Sequence, residues 1–368
     1  MASLSVALGV DVIHSQSFHT GFALVLKHKY KFLADALGLK LPRSMMTLHS
    51  LDPDQGHQLS EHLIRGLGKD VVTSYFPEML ERLWTNPTTT LLHYLKQSSS
   101  ALNTVSYRTA KDLLDKSLSF GLSPHGQELY KRGLLLALPN GVMVDQFSPL
   151  NLTGPPPANE DLSFDYRSIA YGRSRVKAAL AEMGIVDSAD RPLFTFVGRF
   201  SQDKGADLIV GASRAVLSEG GNMAILTSRV SKEHLKEEFQ EIVKIANQHP
   251  RRVILLDKRD MQQRFGQLIR AATDFSLVPS RRETFGLVPL EFFVATGATA
   301  IASGIGGMQD FLVPYGTRGQ YYNAITFRSG SPTSFEGAIG IAGRLYRHDF
   351  SSLHATQSRV MSDVDQYD

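Results

Sequence analysis

Two cations five residues apart, Arg199 and Lys204, stand in a loop where they could bind a phosphate group. The loop, residues 198–205, follows an apolar segment and leads into a predicted helix. A guanidinium, an ammonium and the N–H groups of a helix start can surround one phosphate. Two solvated cations on a turn are the alternative, although a cation at a helix start opposes the helix dipole. On these residues alone, both interpretations remain open.

A second loop carries two carboxylates with seven residues between them, Glu283 and Glu291. They follow the apolar segment 275–278, and a helix is predicted to begin between them. A diphosphate can accept hydrogen bonds from the N–H groups near Gly286 and Leu287, and carboxylates suit sugar hydroxyls. Alternatively, Glu283 only complements the helix dipole and Glu291 lies on a solvated face. The apolar neighbours of Glu291 disfavour the solvated face.

Four further residues are weaker candidates. Gly306 and Gly307 follow a predicted strand, where glycines let the backbone approach a phosphate but also make an ordinary turn. His19 lies beyond the end of the first predicted strand, and Asn140 opens an Asn-Gly turn. Either residue could equally serve packing or capping. No histidine spacing fits a zinc motif and the chain has no cysteine, so we expect no metal site.

The elements that position these residues alternate between strand and helix, which predicts α/β domains with parallel sheets. In the second half, the predicted strands are 193–197, 223–227, 253–256, 275–278 and 298–302. The predicted helices there are 206–217, 232–247, 261–272, 288–295 and 334–347. A doubly wound domain of this kind binds ligands beyond the carboxyl ends of its strands, where Arg199, Glu283 and Gly306 stand.

The first half is predicted to be a similar domain, with strands at 8–14, 45–49, 104–106 and 134–138 and a helix over 21–37. The apolar run 5–13 starts without a cap or a helix before it, so we expect this domain to lack its first strands. Residues 148–159 include three consecutive prolines and predict a linker. The expected domains are 1–150 and 161–350, joined by a linker over 151–160 and followed by a tail over 351–368.

Composition narrows the class of protein. The 368 residues are 42% hydrophobic and 20% charged, as in a soluble globular protein of two domains. The absence of cysteine excludes a disulfide framework and a thiol nucleophile. A net charge of +3 is too small to indicate a nucleic-acid partner. Without a long apolar stretch or a basic leader, we expect no membrane span and a cytoplasmic protein, or a secreted effector acting in another cytosol.

Taken in chain order, these segments resemble the bacterial glycogen and starch synthases, and more broadly the retaining glycosyltransferases of GT-B architecture. The likeness covers about residues 5–345 and rests on 11–20 (DVIHSQSFHT), 46–49 (MTLH), 104–106 (TVS), 138–142 (LPNGV), 196–205 (FVGRFSQDKG), 278–287 (VPSRRETFGL) and 306–307 (GG). It implies two Rossmann-like domains facing a cleft, the N-terminal one incomplete. It also implies sugar transfer from a nucleoside-diphosphate sugar to an acceptor hydroxyl, with retention of configuration and no cofactor.

The resemblance also implies a role for each matching residue. Arg199 and Lys204 match the pair that neutralises the leaving diphosphate, and Glu283 the carboxylate that binds the donor sugar. Glu291 matches a second glutamate that binds the ribose, and His19 a histidine against the transferred sugar. The remaining donor-binding positions are Phe285, Gly286, Leu287, Gly306, Gly307 and Asn140.

Departures from the family pattern leave the substrates open. Gln16, Ser17 and Phe18 stand where synthases have His, Asp and Trp, and the family's Lys-Thr-Gly-Gly-Leu loop has no counterpart. The transferred sugar could be glucosyl or mannosyl, and the acceptor a glycan or a protein. The alternative is a non-catalytic module that binds a nucleotide, a glycan or a protein partner. A dehydrogenase is disfavoured because no G-x-G-x-x-G follows the first strand of either half.

Overall fold

The computed structural model describes residues 2–51, 87–152, 155, 160–227, 235–317 and 321–364. They belong to two compact units, Met1–Asn140 and Gly141–Asp368. The two units meet between Asn140 and Gly141, which is earlier in the chain than the boundary expected at residue 150. Leu152 and Leu162 flank the proline-rich segment and are both buried in the core of the second unit, so that unit includes the segment's two ends. Residues 153, 154 and 156–159 of the expected linker lie outside the described residues.

The first unit contains one parallel sheet. Its strands are β1 (Val12–Gln16), β2 (Arg43–Leu48), β3 (Ala101–Thr104) and β4 (Leu135–Ala137), paired in that order. Its described helices are α1 (Ala2–Ala7), α2 (Ser17–Leu26), α3 (Lys31–Ala36), α4 (Pro87–Gln97), α5 (Tyr107–Leu114) and α6 (Ser123–Lys131). Aliphatic side chains of α2, α4 and the sheet form its core.

The strand expected at 8–14 is wrong in its first half. Residues 2–7 form α1, which buries Ala2 and Val6, four positions apart on one helix face. Gly9 has φ +64° and ends the helix: its N–H bonds to Val6 O at 3.1 Å, and Val10 N–H bonds to Ser5 O at 3.2 Å. This paired arrangement is a Schellman motif. The apolar run therefore contains a helix stop, and the strand begins only at Val12.

The second unit also contains one parallel sheet. Its strands are β5 (Leu193–Val197), β6 (Asn222–Leu226), β7 (Val253–Leu256), β8 (Phe275–Val278), β9 (Thr299–Ala302) and β10 (Ala324–Thr326). Its described helices are α7 (Val144–Phe147), α8 (Ile169–Glu182), α9 (Ile209–Ser218), α10 (Lys236–Gln248), α11 (Arg259–Ala272), α12 (Leu287–Thr296), α13 (Pro332–His348) and α14 (Phe350–Ser362). Among the described residues, none of the helices combines the length and apolar character needed to cross a membrane.

Most of the predicted elements of this unit are confirmed, but four elements were not predicted: α7, α8, β10 and α14. The expected tail contains α14, which packs against α12. The helix buries Leu353, Gln357 and Val360 together with Thr356. That stripe has helical spacing, but half of it is polar, so the hydrophobic pattern alone does not reveal it.

The strand order of the second sheet determines where a ligand can bind. The order is β10-β9-β8-β5-β6-β7, so β5 and β8 are neighbours in the sheet although β6 and β7 come between them in the chain. At this switch point the order of the strands reverses, and doubly wound sheets bind ligands there, beyond the carboxyl ends of their strands. The loops after β5 and β8 carry Arg199, Lys204 and Glu283 to the switch point.

Candidate active site

Lys204 and Glu283 come into direct contact at the switch point. Lys204 ends the short 3₁₀ turn Gln202–Lys204 after β5, and Glu283 lies in the loop after β8. The Nζ atom lies 2.7 Å from Glu283 Oε2, and the Ser280 hydroxyl donates to the same oxygen at 3.3 Å. The side chains are 27% and 15% exposed. Solvent can therefore reach a charged pair that an anionic ligand could open.

Glycine lets the two loops approach each other. Gly205 follows Lys204 with φ +68°, and a Cβ atom built there would lie 2.1 Å from the carbonyl oxygen of Pro279. Any other residue would separate the loops or strain the backbone. Gly205 thus has a packing role that fixes the position of Lys204.

Gly306 and Gly307 hold the other side of the Glu283 loop. Added Cβ atoms would lie 1.6 Å from Glu283 O and 2.2 Å from Thr284 O, respectively. The Gly307 N–H also donates to Glu283 O at 3.2 Å. These contacts give the glycine pair a structural role whether or not its backbone also approaches a phosphate.

The start of α12 offers backbone donors next to Glu283. Gly286 has φ +101° and is the cap residue, and no side chain caps the helix. The N–H groups of Leu287 and Val288 lie in the first turn, where a helix has no earlier carbonyl for them. Pro289 has no N–H, so a proline is tolerated there. Phe285 is buried against Phe311, which anchors the loop and leaves its backbone as the functional part.

Among the predicted residues whose side chains the structure describes, Arg199 is the most exposed, at 67% of its side chain. Its Nη2 atom lies 3.1 Å from Asp203 Oδ2, four residues further along the same loop. Sequence reasoning did not identify this partner. An exposed pair of this kind stabilises a fold by little, so a diphosphate could replace Asp203 at small cost.

Glu291 is not on a solvated face, and it has an intramolecular partner. The carboxylate accepts hydrogen bonds from Nε and Nη2 of Arg270, at 3.2 and 3.1 Å. The guanidinium of Arg270 also lies over the Phe147 ring, 5.5 Å from its centroid. Burial raises the pKa of Glu291, and Arg270 opposes that shift. Both hydrogen bonds from Arg270 go to Oε2 of Glu291, so the predicted contact with a ribose would use Oε1.

The two site residues predicted in the first unit, His19 and Asn140, follow different strands. The backbone of residue 19 belongs to α2, directly after β1, and the His19 side chain lies outside what the structure describes. Asn140 follows β4, and its N–H donates to Val105 O at 3.1 Å. The two strands form opposite edges of the four-stranded sheet.

A polar network at the carboxyl ends of β1, β2 and β3 was missed. His14 Nε2 lies 2.7 Å from Thr47 Oγ1, which also accepts a hydrogen bond from Asn103 at 3.2 Å. His49 Nε2 lies 2.6 Å from Gln16 Oε1. His14 and Gln16 lie at the end of the first strand, and Thr47 and His49 lie at the end of the second, so their positions at strand ends are the signal that could have identified them.

Two family models match the chain. Residues 1–128 match the starch synthase catalytic domain, and residues 191–340 match the group 1 glycosyl transferases. The glycogen synthase of Paracidovorax citrulli is 26% identical over 339 residues, which cover 92% of this chain and 62% of that protein. The glycogen synthase of Marinomonas sp. is 23% identical, covering 95% and 67%. The chain thus spans about two thirds of the length of these relatives.

Solved structures agree with the family models. The catalytic domain of starch synthase IV from Arabidopsis thaliana, bound to ADP and acarbose, superimposes with a TM-score of 0.80 at 25% identity, over 100% of this chain and 73% of that one. Anabaena HepE in complex with UDP, at 15% identity and a TM-score of 0.60, shares the fold over 100% of this chain and 77% of that one. The fold is that of a GT-B glycosyltransferase. In sequence, the chain resembles the starch synthase catalytic domain in its first part and the group 1 glycosyl transferases in its second.

Proposed function

We propose that this protein transfers a hexosyl group from a nucleoside-diphosphate sugar to an acceptor hydroxyl, with retention of configuration. One observation carries the proposal: Lys204 contacts Glu283 at the switch point, beside the uncapped start of α12. A cation, a carboxylate and free N–H groups together match a ligand that has both phosphate and hydroxyl groups. The relatives named glycogen synthase, and the starch synthase bound to ADP, favour a glucosyl donor.

The chemistry follows from the charge that develops on the donor. The bond from the anomeric carbon to the diphosphate breaks, and its electron pair stays on the departing oxygen. The N–H groups of Leu287 and Val288 stabilise that negative charge, together with Lys204 and Arg199 once these exchange their carboxylate partners for the diphosphate. The acceptor oxygen bonds to the anomeric carbon on the same face, and its proton goes to the departing diphosphate.

The remaining predicted residues bind and orient the donor. Glu283 accepts hydrogen bonds from sugar hydroxyls once Lys204 turns to the diphosphate, and Glu291 binds the ribose with the oxygen that Arg270 does not use. For His19 and Asn140 of the first unit, we propose the sugar-binding roles that the resemblance implies. We propose no metal or organic cofactor, since Lys204, Arg199 and the start of α12 stabilise the leaving diphosphate. A glycan is the favoured acceptor, and a protein is the second.

The test is release of nucleoside diphosphate. The protein would be incubated with ADP-glucose, UDP-glucose or GDP-mannose, with and without a maltooligosaccharide. We expect release from one donor, dependent on acceptor and lost in Lys204→Met. Lys244→Met is the matched control, since Lys244 also pairs with a glutamate, Glu241, on an exposed helix face.

Two other outcomes would contradict this proposal. Nucleotide binding in calorimetry without turnover, on any donor and acceptor, would indicate the non-catalytic module instead. Turnover that survives Lys204→Met as well as Lys244→Met would show that the switch-point lysine is not part of the chemistry.

A further inference from the structure

Arg281 joins the two loops that carry the charged pair of the candidate site. Its guanidinium bonds to both oxygens of Asp207, with Nη2 2.6 Å from Oδ2 and Nη1 in contact with Oδ1. Nη1 also donates to the carbonyl oxygen of Gln202 at 3.1 Å. The backbone N–H of Arg281 donates to Asp203 O at 2.8 Å. One residue after β8 therefore makes four hydrogen bonds to the loop after β5.

The places of these contacts in the chain give them their meaning. Arg281 is two residues before Glu283, while Gln202, Asp203 and Asp207 surround Lys204 on both sides. The hydrogen bonds of Arg281 therefore join the two loops at positions that lie close in sequence to both Lys204 and Glu283. The close packing of Gly205 on Pro279 joins the same two loops a second time.

The geometry requires arginine. A planar guanidinium can bond to a carboxylate through two nitrogens and still reach a carbonyl, whereas an ammonium acts as a point charge. The side chains of Arg281 and Asp207 are 29% and 26% exposed, so they are less open than an ordinary surface pair. The hydrogen bonds to Asp207 raise the pKa of Arg281, so it stays charged throughout the accessible pH range.

We propose that Arg281 is a positioning residue: it fixes the loop after β5 so that the Lys204 ammonium faces the leaving diphosphate, and it does not touch the donor itself. This inference rests on the proposed function for its catalytic meaning. Its structural part, the clamp between the two loops, can be measured without any substrate.

The first measurement is amide hydrogen exchange on the full chain without nucleotide. Lys204, Gly205, Ala206 and Leu208 have N–H groups bonded within the loop, so they report its order. Arg281→Met and Asp207→Asn should each raise their exchange rates about tenfold or more, because local opening becomes easier. Arg281→Lys should not restore protection. Arg214→Met, which removes the Arg214 to Glu241 pair on the helices α9 and α10, is the matched control and should leave these amides unchanged.

The second measurement is ADP and UDP affinity by calorimetry, in a double-mutant cycle with Lys204→Met. Since Arg281 is proposed to act through Lys204, Arg281→Met should weaken binding about tenfold in the wild-type background and about twofold or less beside Lys204→Met.

The outcomes separate the clamp from the proposed function. Unchanged exchange in both Arg281→Met and Asp207→Asn would overturn the clamp. An equal loss of affinity in both backgrounds would overturn the positioning role, because Arg281 would then contact the nucleotide directly. Faster exchange in a protein whose wild type binds neither nucleotide would support the clamp and refute the donor site. If Arg281→Met does not fold, Asp207→Asn gives the same measurements.

Discussion

Two ion pairs between a lysine and a carboxylate in the second unit have nearly the same N–O distance but differ in burial. Lys177 Nζ lies 2.5 Å from Asp274 Oδ2, and Lys204 Nζ lies 2.7 Å from Glu283 Oε2. The first pair is almost fully buried, and the second is open to solvent on one side. The separation of the charges is thus a poor guide to what a pair does.

The number of partners explains the difference. Asp274 also bonds to Arg173 at 3.0 Å and accepts the N–H of Leu193 at 2.8 Å. Arg173 in turn bonds to Thr296 and to Gln357 of α14. Burial alone would raise the pKa of Asp274, but Lys177 and Arg173 outweigh it and hold the pKa below its ordinary value. Every group of this network has a partner, whereas Lys204 has a single carboxylate that a ligand can replace.

The largest effect is expected for Asp274→Asn. Two buried cations would lose their counter-charge, so the free energy of unfolding should fall by about 3–5 kcal/mol. Urea unfolding followed by circular dichroism measures the loss. Glu241→Gln, at an exposed pair, is the control, and a cost for Asp274→Asn no larger than for this control would remove the distinction between the two pairs.

Lys204→Met should have the opposite profile. Losing one charge-assisted hydrogen bond to a diphosphate should weaken ADP or UDP binding by about 10- to 100-fold. The midpoint of unfolding should stay close to that of the wild type, because the pair is partly exposed. Calorimetry and urea unfolding on the same samples decide it. A large loss of stability with unchanged affinity would make Lys204 a structural residue.

A histidine beside the buried network gives a pH dependence. His354 of α14 has its pKa lowered from 6.5 to about 4, by burial first and then by Arg173, with Lys177 adding to the shift and Asp274 opposing it. Both ring nitrogens are buried, and neither has a hydrogen-bond partner among the described residues. Since the unfolded chain binds this proton more readily, stability should be complete above pH 6.5 and fall as the pH drops towards 4.

The expected loss is about 1–2 kcal/mol after allowance for the partial exposure of His354. The comparison of wild type with His354→Gln, unfolded in urea at pH 7 and pH 5, isolates this contribution. The variant should lose less stability than the wild type over that interval. Equal losses would show that the buried network does not sense the protonation of His354.

The smallest effect is expected for Glu283→Gln. Without the carboxylate, the Lys204 ammonium would still be partly exposed to solvent. The free energy of unfolding should therefore change by less than about 1 kcal/mol. Urea unfolding again measures it, with Asp274→Asn as the contrasting variant. A cost comparable to that of Asp274→Asn would mean that the site pair holds the fold together.

Sequence patterns predicted the second unit well because its buried strands are short apolar runs bounded by turns. The strands 193–197, 253–256 and 275–278 have the predicted limits. The predicted positions of Lys204 and Glu283 at strand ends also brought them to the switch point, through the order of the sheet. The apolar run at the start was misinterpreted because Gly9 can end a helix as readily as it interrupts a strand.

The contact partners of the site residues could not be predicted from the sequence. Glu291 bonds to Arg270, 21 positions away, and Arg281 bonds to the loop that carries Lys204; nothing in their spacing specifies these contacts. Asp203 is only four positions from Arg199, but both residues stand in a predicted loop, where that spacing specifies no contact. Arg281 and Asp207 are 74 positions apart in the chain. Only the strand order, with β5 beside β8, makes them neighbours.

The close contacts at Gly205, Gly306 and Gly307 have a consequence for engineering the protein. Because a single methyl group at any of them would collide with a loop carbonyl, the loops of the candidate site cannot be reshaped one side chain at a time. Directed evolution of donor preference should instead accumulate changes at open positions such as Leu287, which is 42% exposed at the start of α12. The loops after β5, β8 and β9, which make these contacts, would be poor places for inserted segments or tags.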